Sequence, residues 1–83
     1  MKELIERITK AIVDHPEEVD VRIVEGKGIT VLELSVAQSD MGRVIGKKGQ
    51  NAISMRTLLS AAGKRSGQNI VLEILESSSS EHR

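Results

Sequence analysis

The stretch Val44-Ile45-Gly46-Lys47-Lys48-Gly49-Gln50-Asn51-Ala52-Ile53 decides the fold. Two glycines flank two lysines, and helical patterns lie on both sides. Upstream, Met41, Val44 and Ile45 outline a short helix that Gly46 stops, with Ser39 or Asp40 placed to cap its start. Downstream, a longer helix begins near Gln50. Ala52, Met55, Leu59 and Ala62 form its apolar stripe, widened by Ile53 and Leu58, and Ser66-Gly67-Gln68-Asn69 ends it. Glycine at each end of the loop permits positive φ and leaves the backbone open to close approach. The first amides of the following helix lack internal acceptors and sit at the positive end of its dipole. An anion bound at this helix start gains from both effects. Lys47 and Lys48 add two mobile charges, so the loop suits a chain of phosphates. The same residues also describe a helix–turn–helix connector with solvated lysines, and a short glycine motif alone does not separate the two.

Working outward, Leu4, Ile5, Ile8, Ala11 and Ile12 follow helical spacing, with Glu3 and Glu6 at the start. His15-Pro16 closes the pattern, because a residue before proline avoids helical backbone. The spacing predicts a helix over about residues 2–14. Val19, Val21 and Ile23 alternate with Asp20 and Arg22, Glu25-Gly26-Lys27-Gly28 makes a turn, and a second strand runs from Ile29 to about Val36 with Leu32, Leu34 and Val36 on one face. Ile70, Leu72 and Ile74 alternate as a last strand. The order is α-β-β-α-α-β. The crossover of about 30 residues before the last strand is long enough for a parallel return. The expected fold is α+β: one domain over residues 1–76, a three-stranded mixed sheet with helices packed on one face. Ser77 to Arg83 reads as a disordered polar tail.

Composition narrows the function. Phe, Tyr and Trp are absent, which excludes ring-stacking RNA platforms and most OB-type single-strand binders. The formal net charge is zero, from twelve bases and twelve acids, but the signs are segregated. Between Asp40 and Glu73 there is no acid, while Arg43, Lys47, Lys48, Arg56, Lys64 and Arg65 fall there. The remaining chain holds six bases and twelve acids. One basic end on an acidic remainder suits a polyanion at one face. Cysteine is absent, so disulfides and thiolate metal sites are excluded, which fits a reducing cytoplasm. His15 and His82 lie far apart and make a weak case for metal. No apolar run is long enough to cross a bilayer, and the N-terminus does not read as a signal peptide. No cofactor is expected.

On these residues, the quoted stretch resembles the signature of KH domains: an aliphatic pair, Gly-x-x-Gly, two polar residues, then Ala-Ile. The helix and strand that precede the core match the type II KH arrangement. The resemblance runs from about Leu4 to Leu75, and a chain of this length is similar to the small bacterial stand-alone type II KH proteins of the KhpA family. The resemblance implies single-stranded RNA binding, with a Gly-x-x-Gly loop clamping about four nucleotides. Gly46, Lys47, Lys48 and Gly49 would hold the backbone together with Gln50. Ile45 and Ile53 are candidates for the groove floor, the strand around Leu34 to Val36 for its far wall, and Arg43 and Arg56 for phosphates or base edges. Periodicity alone leaves Ile45 and Ile53 open between groove and core. The resemblance also implies an RNA chaperone or post-transcriptional regulator in the cytoplasm, linked to cell elongation and envelope homeostasis. It would act as a dimer or with a larger KH-containing partner of the KhpB (Jag) type.

Two other classes compete. As a protein-interaction module, the domain would leave RNA binding mainly to a complex. As an enzyme, it would need groups that are missing. A nucleotide-binding loop needs Gly-Lys-Ser/Thr, which Gly49-Gln50-Asn51 does not supply, and no nucleophile, base and orienting group can be assembled from the sequence. No catalysis is expected.

Overall fold

The computed structural model describes residues 1–77. Its first helix, α1 (Lys2–Ile12), turns Ile5 and Thr9 inward and ends two residues before the expected boundary. Val13 is already extended, at φ −99° and ψ 161°. The amides of Asp14 and His15 then donate to the Asp40 carboxylate, at 3.0 Å each. A partner 25 and 26 residues away thus replaces the helical acceptors, and no local pattern announces it. Pro16 opens a single 3-10 turn, Pro16–Glu18. Its missing N–H is no loss at that first position.

β1 (Asp20–Gly26) and β2 (Ile29–Val36) form the expected antiparallel hairpin, with Gly26 opposite Ile29. Val19 falls outside the strand because its N–H closes the preceding turn on Pro16 O, but its side chain still joins the core. Two helices follow, the short α2 (Met41–Ile45) and the longer α3 (Gln50–Arg65). β3 (Ile70–Glu76) then returns parallel to β2, giving the sheet order β1-β2-β3. The register aligns Val21, Leu34 and Ile74 in one row and Ile23, Leu32 and Leu72 in the next. These rows face the helices. The opposite face carries Val24, Val31 and Val71 in one row and Arg22, Glu33 and Glu73 in another.

The core joins Ile5 of α1, Val44 of α2, and Met55 and Leu59 of α3 to Val21, Leu32, Leu34, Val36 and Leu72 of the sheet. Three apolar expectations are corrected. Ile23 points to the helix face but remains 51% exposed, in an open cleft with Met1, Lys2 and Glu3 where α1 begins. Ile53 and Leu58 do not widen the stripe of α3, and each is 52% exposed. The buried row is Ala52, Met55, Leu59 and Gly63, with Ala62 only half-buried. Gly63 fits there because the turn into β3 crosses above it: a Cβ would stand 2.6 Å from Gln68 O. Of the serine-rich end, Ser77 alone lies within the described residues. It is buried and its N–H donates to Val36 O at 2.6 Å. The rest of that expected tail, residues 78–83, lies outside them. No helix among the described residues is long and apolar enough to cross a membrane.

Candidate nucleic-acid interface

α2 is too short to stand alone, so its position comes from its neighbours. Val44 is fully buried and anchors it to the core. Asp40, 1% exposed, holds the tail of α1 through the two amide hydrogen bonds from Asp14 and His15. Asp40 was expected, with Ser39, as a cap for α2. It occupies the cap position but makes no cap hydrogen bond, because its oxygens are turned to Asp14 and His15. Asp14 in turn meets Arg43, with Oδ2 3.7 Å from Nη2, in an exposed pair. Such pairs contribute about 0–1 kcal/mol.

The last helical bond of α2 is Gly46 N–H to Gly42 O, at 2.8 Å. The chain then departs at Gly46, with φ 83° and ψ 169°. This is not the left-handed helical conformation common just past a helix C-terminus. It is a region almost confined to glycine. A Cβ there would also stand 2.8 Å from Asn51 Cγ and 2.9 Å from Asn51 N. Gly46–Gly49 forms a tight turn closed by Gly49 N–H to Gly46 O at 3.0 Å. Lys48 is left-handed, at φ 55° and ψ 26°, and so is Gly49, at φ 74° and ψ 13°, which opens α3. Gln50 N–H donates back to Lys47 O. That amide was expected to face a ligand and is instead used inside the loop. The amides of Lys47 and Lys48 precede the ladder of this turn.

The residues singled out in the sequence fall into two groups. Arg43, Ile45, Gly46, Lys47, Lys48, Gly49, Gln50 and Ile53 gather at the junction of α2 and α3. Ile45 and Ile53 are 36% and 52% exposed, so neither is a core residue. Arg56 sits further along α3 and donates its Nε–H to Leu72 O at 3.3 Å. It therefore bridges α3 to β3. The expected far wall, Leu34 to Val36, is not available to a ligand through its apolar side chains, because Leu34 and Val36 are fully buried in the central strand. The edge strand that runs beside α3 is β3. Asn51, read in the sequence only as one of two polar residues, proves central: its Nδ2 donates to Arg43 O at 2.9 Å across the loop. The only advance sign was an amide side chain one position into a helix that follows a broken one. α3 carries no acid, whereas Glu33 and Glu73 lie on the far face of the sheet.

Comparison with known proteins gives one consistent result. The family model "KhpA/KhpB, KH domain" matches residues 2–74. The chain is 46% identical over 74 residues to the RNA-binding protein KhpA of Borreliella burgdorferi, covering 89% of this chain and 90% of that one. It is 47% identical over 75 residues to the RNA-binding protein KhpA of Clostridium acetobutylicum, covering 90% of this chain and all of that one. It is 47% identical over 76 residues to the RNA-binding protein KhpA of Listeria monocytogenes, covering 92% of this chain and all of that one.

Proposed function

The chain belongs to the KhpA/KhpB KH-domain family, and from that premise we propose that it binds single-stranded RNA through the Gly46–Gly49 loop. One observation carries this reading. The loop is a tight, glycine-dependent turn bearing two exposed lysines, between two helices without an acid. Gly46, Lys47, Lys48, Gly49 and Gln50 hold the sugar-phosphate backbone. Ile45 and Ile53 offer exposed aliphatic surface to bases, and Arg43 and Arg56 lie at the borders of the site. The strand completing the groove is β3, on whose carbonyl Arg56 rests. The family model and the relatives are named for a KH domain and for RNA binding, not for an enzyme activity.

The test is the double variant Lys47→Asp/Lys48→Asp, measured by fluorescence anisotropy with a short single-stranded RNA. The variant is expected to lose binding while keeping the parent's melting temperature. For the parent, the logarithm of affinity should fall with the logarithm of salt by about 0.7 per phosphate contact. A double variant that binds as tightly as the parent would refute the assignment.

With so few cations at the loop, one domain grips weakly, and pairing supplies avidity. We infer action as a homodimer, or with a larger KH-containing protein of the KhpB (Jag) type. In the cytoplasm, this would serve as an RNA chaperone or post-transcriptional regulator tied to cell elongation and envelope homeostasis. A second reading, a protein-interaction module whose RNA binding belongs to the complex, is favoured by the exposed Leu58 on α3. Light scattering with and without the partner separates them: a strict monomer with full RNA affinity would exclude the module.

A further inference from the structure

The C-terminal end of α2 leaves a backbone problem that the loop itself does not solve. Gly46 N–H takes Gly42 O. The next carbonyl in line is Arg43 O, whose helical donor would be the amide of Lys47. The turn at Gly46, φ 83° and ψ 169°, carries that amide out of line. Asn51, the second residue of α3, supplies the missing donor through Nδ2 at 2.9 Å. The same carboxamide lies against the Cα of Gly46, so closely that a Cβ there would come within 2.8 Å of Asn51 Cγ. One side chain thus meets the chain before the loop and the first residue of the loop. It closes a ring from Arg43 to Asn51 that contains all of Gly46–Gly49.

We propose that Asn51 is the positioning residue of the loop, latching α2 to α3 so that Gly46–Gly49 keeps one conformation before a phosphate chain arrives. The proposal rests on the RNA-binding reading of this loop and adds to it a residue that touches no ligand. Its effect is local. Asn51 is exposed and outside the core, so its loss frees the loop rather than the domain. A loop that must be ordered on binding binds more weakly, because the ordering is charged against affinity.

The experiment compares Asn51→Leu, which keeps the branched shape without a donor, and Asn51→Ala with the parent. Each variant should bind a short single-stranded RNA about three- to tenfold more weakly, the range one hydrogen bond spans. The salt slope should stay that of the parent, whereas Lys47→Ala should lower it by about 0.7. Amide exchange at Gly49 and Gln50, both hydrogen-bonded inside the loop, should speed up in both variants, with melting temperatures near the parent's. Parental affinity in both variants would overturn the proposal. So would a reduced salt slope, which would make Asn51 a direct phosphate contact. Absence of salt-dependent binding by the parent would instead sink the RNA reading, and the proposal with it.

Discussion

Replacing Asp40 by alanine should be among the most damaging single changes outside the apolar core. Its carboxylate is 1% exposed and accepts two backbone amides at 3.0 Å, Asp14 through Oδ1 and His15 through Oδ2. Hydrogen bonds to a charged group contribute about 1.5–3 kcal/mol each. Both amides are only partly buried, so water recovers some of that, and the expected loss is about 2–4 kcal/mol for Asp40→Ala. For a domain of this size each kcal/mol moves the midpoint by about 4–8 °C, which gives a fall of about 8–32 °C. Asp40→Asn keeps one acceptor but turns an amide toward a donor, and should fall between parent and alanine. Ser39→Ala is the control. If Ser39 acted as a helix cap, alanine there would cost about 0.5–2 kcal/mol, whereas the clamp leaves it near zero. Urea and thermal unfolding followed by circular dichroism measure all three. A loss below about 0.5 kcal/mol for Asp40→Ala, the scale of ordinary surface changes, would refute the clamp.

Substitutions at four other positions make sharp tests of the packing. Thr9 is fully buried and its Oγ1 has no hydrogen-bond partner, so Thr9→Val should stabilise by about 1 kcal/mol; a destabilised variant in urea melts would show that the hydroxyl is satisfied. Gly63→Ala should destabilise by about 1–3 kcal/mol despite alanine's better helix propensity, because its Cβ meets Gln68 O at 2.6 Å; a raised melting temperature would contradict this. Gly46→Ala should cost more than Gly49→Ala in the same melts. Both strain the backbone by about 1–3 kcal/mol, but only position 46 adds a collision, with Asn51, and a Cβ at 49 meets nothing within 4 Å. Equal losses would count against the tight packing at Gly46.

The order of elements was legible because each carries its period openly. Leu32, Leu34 and Val36 alternate as a strand must, and Ala52, Met55 and Leu59 recur as a helix must. The parallel return of β3 followed from crossover length. What remained hidden depends on distant partners. The end of α1 is set by Asp40, 25 and 26 residues away, so a pattern read from neighbours overran it. Ile23, Ile53 and Leu58 matched apolar periods, but three helices cover only part of a three-stranded sheet, and the period does not say where cover stops. The loop was legible as a motif and not as a conformation. Gly-x-x-Gly announces positive φ, but not the ψ of 169° at Gly46, nor that a Cβ there would also collide with Asn51.

The loop also holds a contradiction that bears on its purpose. Lys48 is left-handed, a backbone state that costs an L-residue about 1–2 kcal/mol and that glycine adopts freely. Glycine occupies both neighbouring special positions, 46 and 49, yet lysine stands at 48. A connector selected by backbone geometry alone would place glycine or asparagine there. The strain can persist because the surroundings over-determine the turn. Gly49 N–H is fixed on Gly46 O, Asn51 on Arg43 O, and Val44 in the core. Strain held by its surroundings at a charged residue is what the phosphate contact proposed for Lys48 would call for. The acids agree with this. They are absent from α3 and present as Glu33 and Glu73, side by side in register on the far face of the sheet. If the loop binds RNA as proposed, this distribution would disfavour the polyanion at the far face, where only Arg22 offsets the two acids of that row, and favour it beside the two lysines.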